Sequence, residues 1–238
     1  MILVGRGRVG SVFARGEPAA KVVGRTDAVE GVGPVVVCTG AGAVADVLAR
    51  GGPRSDYVFV QNGWIAPLFA NVRSPSQAVL WFAATQRDGS AEPGGESVFF
   101  GPCAEAPVAA LLRAGVPARV EDDLERFRHE VCFKLGWISI FGLLGQLTGE
   151  TVGDLAGRKD VPLLAAEIAS TLEVPADLLL LRVRAYAGAI PWFRASLKEL
   201  EWRNGAVAQA ARARGLATPL HDEYLRRVTH GGRPGVDR

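Results

Sequence analysis

One lysine stands where a charge is costly. Residues 131–147 read VCFKLGWISIFGLLGQL, a run that is apolar almost throughout and carries Lys134. A helix that is apolar on every side is a buried helix, and an ammonium is seldom buried without a compensating partner. Three readings of Lys134 follow. Glu130, one turn earlier, could pair with it at i, i+4; the side chain could snorkel to a surface; or the amine could face a cleft and give a proton or a hydrogen bond to a substrate, a use that burial favours by shifting its pKa. The run is a little short for a membrane span and is interrupted by three glycines, so a core helix and no membrane partner are expected.

The second group of residues able to do chemistry lies at the N-terminus. The apolar residues 1–4 lead straight into Gly5-Arg6-Gly7-Arg8-Val9-Gly10, followed by a helical stretch from Ser11 that ends near Gly16. Strand, G-x-G-x-x-G turn and helix in that order form the context of a dinucleotide-binding loop, in which backbone N–H groups approach a pyrophosphate at the helix N-terminus. A rival copy, Val35-Val36-Val37-Cys38-Thr39-Gly40-Ala41-Gly42, either borders the cofactor through Thr39 or merely turns the chain. After the next strand stands Arg25, suited to the 2′-phosphate of NADP, although it also reads as an exposed arginine; Asp27, two residues on, keeps NAD open.

These residues must be positioned by a scaffold, and the sequence patterning suggests one. Short apolar runs at 20–23, 35–38, 57–60, 79–83 and 98–100 alternate with glycine-punctuated helical stretches, as in a βαβ sheet. Residues 87–96 are expected to form an exposed loop or hairpin. From residue 122 helical patterns take over through Arg227, and the tail 231–238 reads as disordered. The expected fold class is α/β plus all-α: a Rossmann-type NADP-binding domain over 1–121, a helical substrate and catalytic domain over 122–238, and a cleft between them.

Composition limits the partners. In 238 residues, 27 Lys and Arg against 25 Asp and Glu give a net charge of +2, with no basic stripe for a nucleic acid. Cys38, Cys103 and Cys132 are odd in number and lack metal-ligand spacing, so they read as reduced thiols, with no metal. With an expected strand beginning at residue 1, no leader is expected, and the expected location is cytoplasmic. His129, His221 and His230 read as surface or capping residues. The apolar residues of 163–172 and 178–183 suit a helical core or the face of a homodimer equally well.

Taken together, these residues resemble the ketopantoate reductase (2-dehydropantoate 2-reductase) family. The glycine motif matches, as does Gln61-Asn62-Gly63 after a strand, and Lys134 falls where that family carries its catalytic lysine. Glu199-Leu200-Glu201-Trp202-Arg203-Asn204-Gly205 resembles the family's E-[IL]-[DE]-x-x-N-G signature, and Gly215-Leu216-Ala217-Thr218-Pro219 its G-x-x-T-P segment. The resemblance implies NADPH-dependent reduction of a 2-oxo acid, or a related carbonyl, to a 2-hydroxy acid, as in pantothenate biosynthesis. Lys134 would be the proton donor, Glu199 would orient it, Asn62 would line cofactor and substrate, and Ser196 and Asn204 would contact substrate. Taken singly, Glu199 also reads as a surface carboxylate, and Asn204-Gly205 and Asn62-Gly63 as turns.

The sequence departs from the family pattern in two places. Ile138 and Gly142 stand one and two turns after Lys134, where the family places asparagines, which points to a different and more apolar substrate; Ser139 or Gln146 could substitute in part. The lysine found after a Rossmann strand in the family gives way to Thr39-Gly40-Ala41-Gly42. The competing readings are a dinucleotide-binding protein without turnover and a β-hydroxyacid or imine reductase of the same two-domain plan.

Overall fold

The computed structural model describes residues 1–24 and 26–230. Arg25, the expected 2′-phosphate reader, and the tail expected to be disordered lie outside the described residues. The chain forms two compact units, Met1–Glu130 and Val131–Arg238.

The first unit is built on a seven-stranded sheet. Its strands and helices are β1 (Ile2–Val4), α1 (Arg8–Gly16), β2 (Lys21–Val23), β3 (Val35–Val37), α2 (Val44–Gly51), β4 (Tyr57–Phe59), β5 (Ser76–Val79), β6 (Phe82–Ala83), β7 (Glu92–Pro93), β8 (Ser97–Phe100), α3 (Glu105–Arg113) and β9 (Ala118–Val120). The sheet order is β2-β1-β3-β4-β5-β8-β9, parallel from β2 to β5, with β8 antiparallel to β5 and parallel to β9. Every residue of β1, β3 and β4 is buried, as expected of parallel strands covered on both faces. Leu3, Phe13, Val36, Val58, Phe99 and Leu111 belong to one core cluster, in which Phe13 meets Phe99 edge-on at 6.4 Å. Helix α1 packs so tightly on α3 that a Cβ at Gly16 would overlap the carbonyl of Ala110.

The topology places the glycine loop. The chain leaves β1 for β2 on one side and returns to β3 on the other, so the strand order reverses at β1. In an open α/β sheet, ligands bind outside the carboxyl ends of the strands at such a point.

Two strands differ from the sequence expectation. The run at 79–83 is divided: β5 begins earlier, at Ser76, and Phe82–Ala83 pairs with β7 in a two-stranded hairpin. Ser76 is fully buried and its hydroxyl accepts the Cys103 N–H at 2.8 Å, a tertiary bond that lets a polar residue sit in the strand. Strand β9 was not expected at all; its three residues grade from buried to exposed at the sheet edge.

The second unit is helical, with no strand among the described residues. Helix α4 (Leu124–Thr148) starts before the apolar run, its first turn capped by the Asp123 carboxylate, which accepts the N–H groups of Glu125 and Arg126. The division between the units falls within it. Length and composition would let α4 cross a membrane, yet most of its apolar window is buried within the protein. Its glycines serve packing: a Cβ at Gly136 would lie 2.6 Å from Leu179, and one at Gly145 would overlap the carbonyl of Ala195.

Around it lie α5 (Val152–Ala156), α6 (Asp160–Leu172), α7 (Ala176–Ala189), α8 (Asn204–Ala213) and α9 (Pro219–Thr229). Pro219 opens α9, and Glu167 of α6 takes the N–H groups of Leu220 and His221 at 3.0 and 2.9 Å, so the Thr-Pro segment is a helix start capped from another helix.

His221 is a correction: it is fully buried rather than a surface or capping residue, with Nε2 2.9 Å from Asn204 Oδ1. Burial lowers its pKa from 6.5 to about 4. The ring is therefore neutral in the folded protein while the unfolded chain takes up a proton below pH 6.5. Stability is expected to be complete above pH 6.5 and to fall by about 3 kcal/mol as the pH drops from 6.5 towards 4. Urea denaturation across that range checks this, and His221→Gln should flatten the dependence.

Candidate active site

At the carboxyl end of β1 the three glycines of the loop have different reasons to be there. Gly5 has φ +114° and donates its N–H to Val23 O at 3.0 Å, a conformation that L side chains rarely adopt. At Gly10 a Cβ would overlap the carbonyl of Gly5, because α1 starts directly against the strand end. Gly7 has an ordinary φ of −83°, and nothing lies within 4 Å of where its Cβ would be. Gly5 and Gly10 are required by the fold, whereas Gly7 leaves open space at the N-terminus of α1. No side chain caps that terminus. The N–H groups of its first turn, from Arg8, Val9 and Gly10, form the positive end of a helix dipole, so the arrangement suits an anion.

The rival glycine loop is of another kind. It runs from Gly40, with φ −66°, into a 3₁₀ turn, Ala41–Ala43, and no close contact constrains Gly42. Thr39 nevertheless borders the first loop: its Cγ2 lies 3.4 Å from a Cβ placed at Gly5. The Thr39 hydroxyl is buried without a hydrogen-bond partner. Gln61, a buried residue whose role the sequence did not disclose, donates from Nε2 to Val37 O at 2.7 Å and Thr39 O at 2.9 Å and ties the end of β4 to that of β3. Its Oε1 is a second buried atom without a partner. Asn62 accepts the Leu80 N–H at 3.2 Å on its side-chain oxygen.

Near the end of β2, the Asp27 carboxylate accepts the Gly24 N–H at 2.7 Å and lies 3.8 Å from the Arg6 guanidinium. Arg6 and Arg8 are both exposed.

In the helical unit the site centres on Lys134. It is 4% exposed, which rules out snorkelling. Glu130 takes the Trp81 indole N–H at 2.9 Å. The Lys134 Nζ lies 4.0 Å from the centre of the Tyr186 ring and 5.2 Å from that of Trp137. Trp137 also packs on Tyr186, Phe141 and Phe193, an aromatic cluster from α4, α7 and the following segment of which the Tyr186 and Trp137 rings meet the amine. Burial, and then the charge of Arg203, hold the Lys134 ammonium well below the ordinary lysine pKa.

Arg203 comes from the turn before α8. Its Nη2 donates to Glu199 Oε2 at 2.7 Å, with the arginine side chain 17% exposed. Burial lowers the Arg203 pKa, while the Glu199 carboxylate works against that shift. Glu199 has φ +47° and ψ +50°, a left-handed conformation that costs a non-glycine residue about 1 to 3 kcal/mol and is found most at functional sites. Neither Tyr186 nor Arg203 was singled out from the sequence. An arginine beside Asn204 in the signature was the available signal.

The remaining expected residues occupy quieter positions. Ser196 is half-buried, and its carbonyl lies 3.6 Å from where a Gly142 Cβ would be. Asn204 is buried against His221 and starts α8; its Nδ2 lacks a partner. Gln146 accepts the Leu197 N–H at 3.4 Å, and the Ser139 hydroxyl is buried without a partner.

No protein-family model matches the sequence, and no curated protein matches it. Solved structures do match over nearly the whole chain. The ternary structure of D-mandelate dehydrogenase with NADH and anilino(oxo)acetate aligns at a TM-score of 0.71 and 13% identity, covering 96% of this chain and 97% of that one. A PanE/ApbA family ketopantoate reductase from Ralstonia eutropha JMP134 aligns at 0.72 and 18%, covering 96% and 97%. The dimeric ketopantoate reductase from Staphylococcus aureus aligns at 0.72 and 13%, covering 97% and 99%. The chain has the fold of the ketopantoate reductases. An α/β unit with a parallel-dominated sheet followed by a helical unit, the fold class expected from the sequence, is the architecture seen.

Because burial works against the charged form of Lys134, replacing it with an apolar chain of similar length should stabilise the protein. Lys134→Met is expected to raise the unfolding free energy by about 1 to 3 kcal/mol, read by urea denaturation at pH 7. A loss of stability would show that the amine is a net structural asset.

Proposed function

We propose that the protein is an NADPH-dependent reductase of the ketopantoate reductase type, converting a 2-oxo acid or related carbonyl to a 2-hydroxy acid. The observation that carries this reading is the buried Lys134 amine, set against the Tyr186 and Trp137 rings. A protein that needed only a helical core would place an apolar residue there.

The division of labour follows the two units. Residues 1–121 are the dinucleotide-binding part, with Gly5, Arg6, Gly7, Arg8, Val9 and Gly10 at the pyrophosphate and Thr39 and Asn62 along the cofactor. The open space at Gly7 and the unpartnered Thr39 hydroxyl and Gln61 Oε1 support that fit. Arg25 is the residue proposed to meet a 2′-phosphate and so to favour NADP over NAD. Bound NADPH would supply a hydride to the carbonyl carbon.

Residues 122–238 carry the proton chemistry. The Lys134 ammonium hydrogen-bonds the carbonyl oxygen, stabilises the developing alkoxide and gives it a proton from Nζ. Its lowered pKa makes that proton easier to release. Glu199 acts on Lys134 through Arg203 and offsets part of the cation's repulsion. Ser196, Asn62 and Asn204 remain the proposed substrate contacts. The dimeric state named for the Staphylococcus aureus protein supports a homodimer here.

NADPH oxidation against a panel of 2-oxo acids tests the reading. Lys134→Met should lower kcat by about 10²- to 10⁴-fold, the usual worth of a positioned acid. In the wild type kcat should be flat at lower pH and fall as the pH rises through a value below 10.5, because only the protonated amine can donate. If NADPH binds but no oxo acid, aldehyde or imine is consumed, the protein binds dinucleotide without turnover. Consumption of imines alone, or oxidation of β-hydroxyacids alone with NADP⁺ in place of NADPH, would point to the sister chemistry.

The glycine loop gives an independent check. Gly7→Ala meets no protein atom, so stability should change by less than about 1 kcal/mol. NADPH affinity, read by fluorescence titration, should nevertheless fall by about tenfold or more, because the added methyl intrudes on the pyrophosphate.

A further inference from the structure

We propose that the outward face of α7 is the surface on which two copies of this chain pair, each α7 lying antiparallel to its counterpart across a two-fold axis beside Leu181. The inference rests on the homodimer of the preceding reading and gives it a face. It does not depend on which carbonyl is reduced.

Helix α7 already uses one apolar side inside its own unit, where Leu179, Val183 and Ala187 are buried. Two further leucines stand on the opposite side in water, Leu181 at 64% exposure and Leu178 at 37%. With the exposed Ala185 and Gly188 they recur at spacings of three and four residues, and so form one stripe along the helix. Exposed apolar residues are ordinary when scattered singly, whereas an aligned set on a helix already packed on its other side marks a contact surface. Nothing lies within 4 Å of where a Cβ would stand at Gly188, so the backbone there is open to close approach.

Charge selects the partner. Asp177 and Arg184 flank the stripe on the same side; both are exposed, and neither makes an ion pair among the described residues. They stand two turns, about 10 Å, apart, too far to pair with each other. A two-fold axis perpendicular to the helix and level with the midpoint between them reverses the second copy, which brings Asp177 beside the partner's Arg184 and Arg184 beside the partner's Asp177. That midpoint falls beside Leu181, so Leu181 meets its own counterpart at the centre. On the other side of the stripe the same operation sets Leu178 against the partner's Ala185, a large side chain against a small one. A parallel pairing would bring like residues level and leave both charges unmatched. The face is therefore complementary to an identical face turned end for end, and the partner it fits is a second copy of this chain.

Sedimentation velocity of the full chain over a range of concentrations tests this. Leu181, Asp177 and Arg184 are all in water, so their variants should keep the monomer fold, read by circular dichroism and urea denaturation. The wild type should sediment as a dimer. Leu181→Glu, which sets two carboxylates together beside the axis, should weaken that dimer by about 100-fold or more. Asp177→Lys and Arg184→Glu should each weaken it by about tenfold, because each places like charges opposite one another at two points. Mixing these two variants should restore a dimer of near wild-type affinity, since every charge at the seam then faces its opposite.

A chain that stays monomeric at every concentration overturns this face and the homodimer with it, while the reductase chemistry stands or falls by its own assay. A dimer that survives Leu181→Glu keeps the homodimer and overturns this face. A dimer that needs Leu181 but is not restored by mixing overturns the antiparallel pairing. Asp177 also stands in the first turn of α7, where an acid is favoured. Should Asp177→Lys disturb that turn, Asp177→Asn mixed with Arg184→Glu is read instead, and must bind more tightly than Arg184→Glu alone.

Discussion

The helical unit is organised around one unfavourable fact, an ammonium inside an apolar helix. Removing a lysine charge from water costs several kcal/mol. The faces of Tyr186 and Trp137 return part of that, with cation–π contacts worth about 2 kcal/mol when water is excluded. Arg203 adds to the cost, and Glu199 moderates it by neutralising Arg203. Glu199 in turn holds a left-handed backbone to reach that position. Lys134, Arg203 and the Glu199 backbone are each placed at some expense to stability.

The sheet unit solves a different problem, starting a helix directly against a strand end. Gly5 and Gly10 answer to internal geometry, one to a positive φ and the other to the contact of α1 with the strand end. Gly7 answers to neither, and its open side faces outward from a helix start that lacks a side-chain cap. The rival loop at Gly40 to Gly42 shares the composition but not the constraints, because it leads through a 3₁₀ turn rather than directly into a helix.

Much of the fold could be read in advance where local pattern and burial coincide. Strands β1, β3 and β4 are short apolar runs covered on both faces, and α4 is apolar on nearly every side. Strand β5 escaped correct placement because a buried serine, satisfied by the Cys103 N–H, looks like a turn residue in sequence. Strand β9 was missed because an edge strand of three residues owes its existence to its neighbour β8. His221 looked peripheral because nothing near it in sequence announces Asn204 as its partner.

By itself the sequence determined the order of the elements, the glycine turn after the first strand and the presence of a lysine in an apolar helix. These are properties of backbone conformation and side-chain periodicity, set by residues a few positions apart. Tertiary structure alone decided the electrostatics of that lysine. It brought the Tyr186 ring from α7 to the amine, set the charge of Arg203 against it, and paired Arg203 with Glu199. The energy of a buried charge depends on which distant segments exclude water from it and which charges they carry, and no local pattern encodes that.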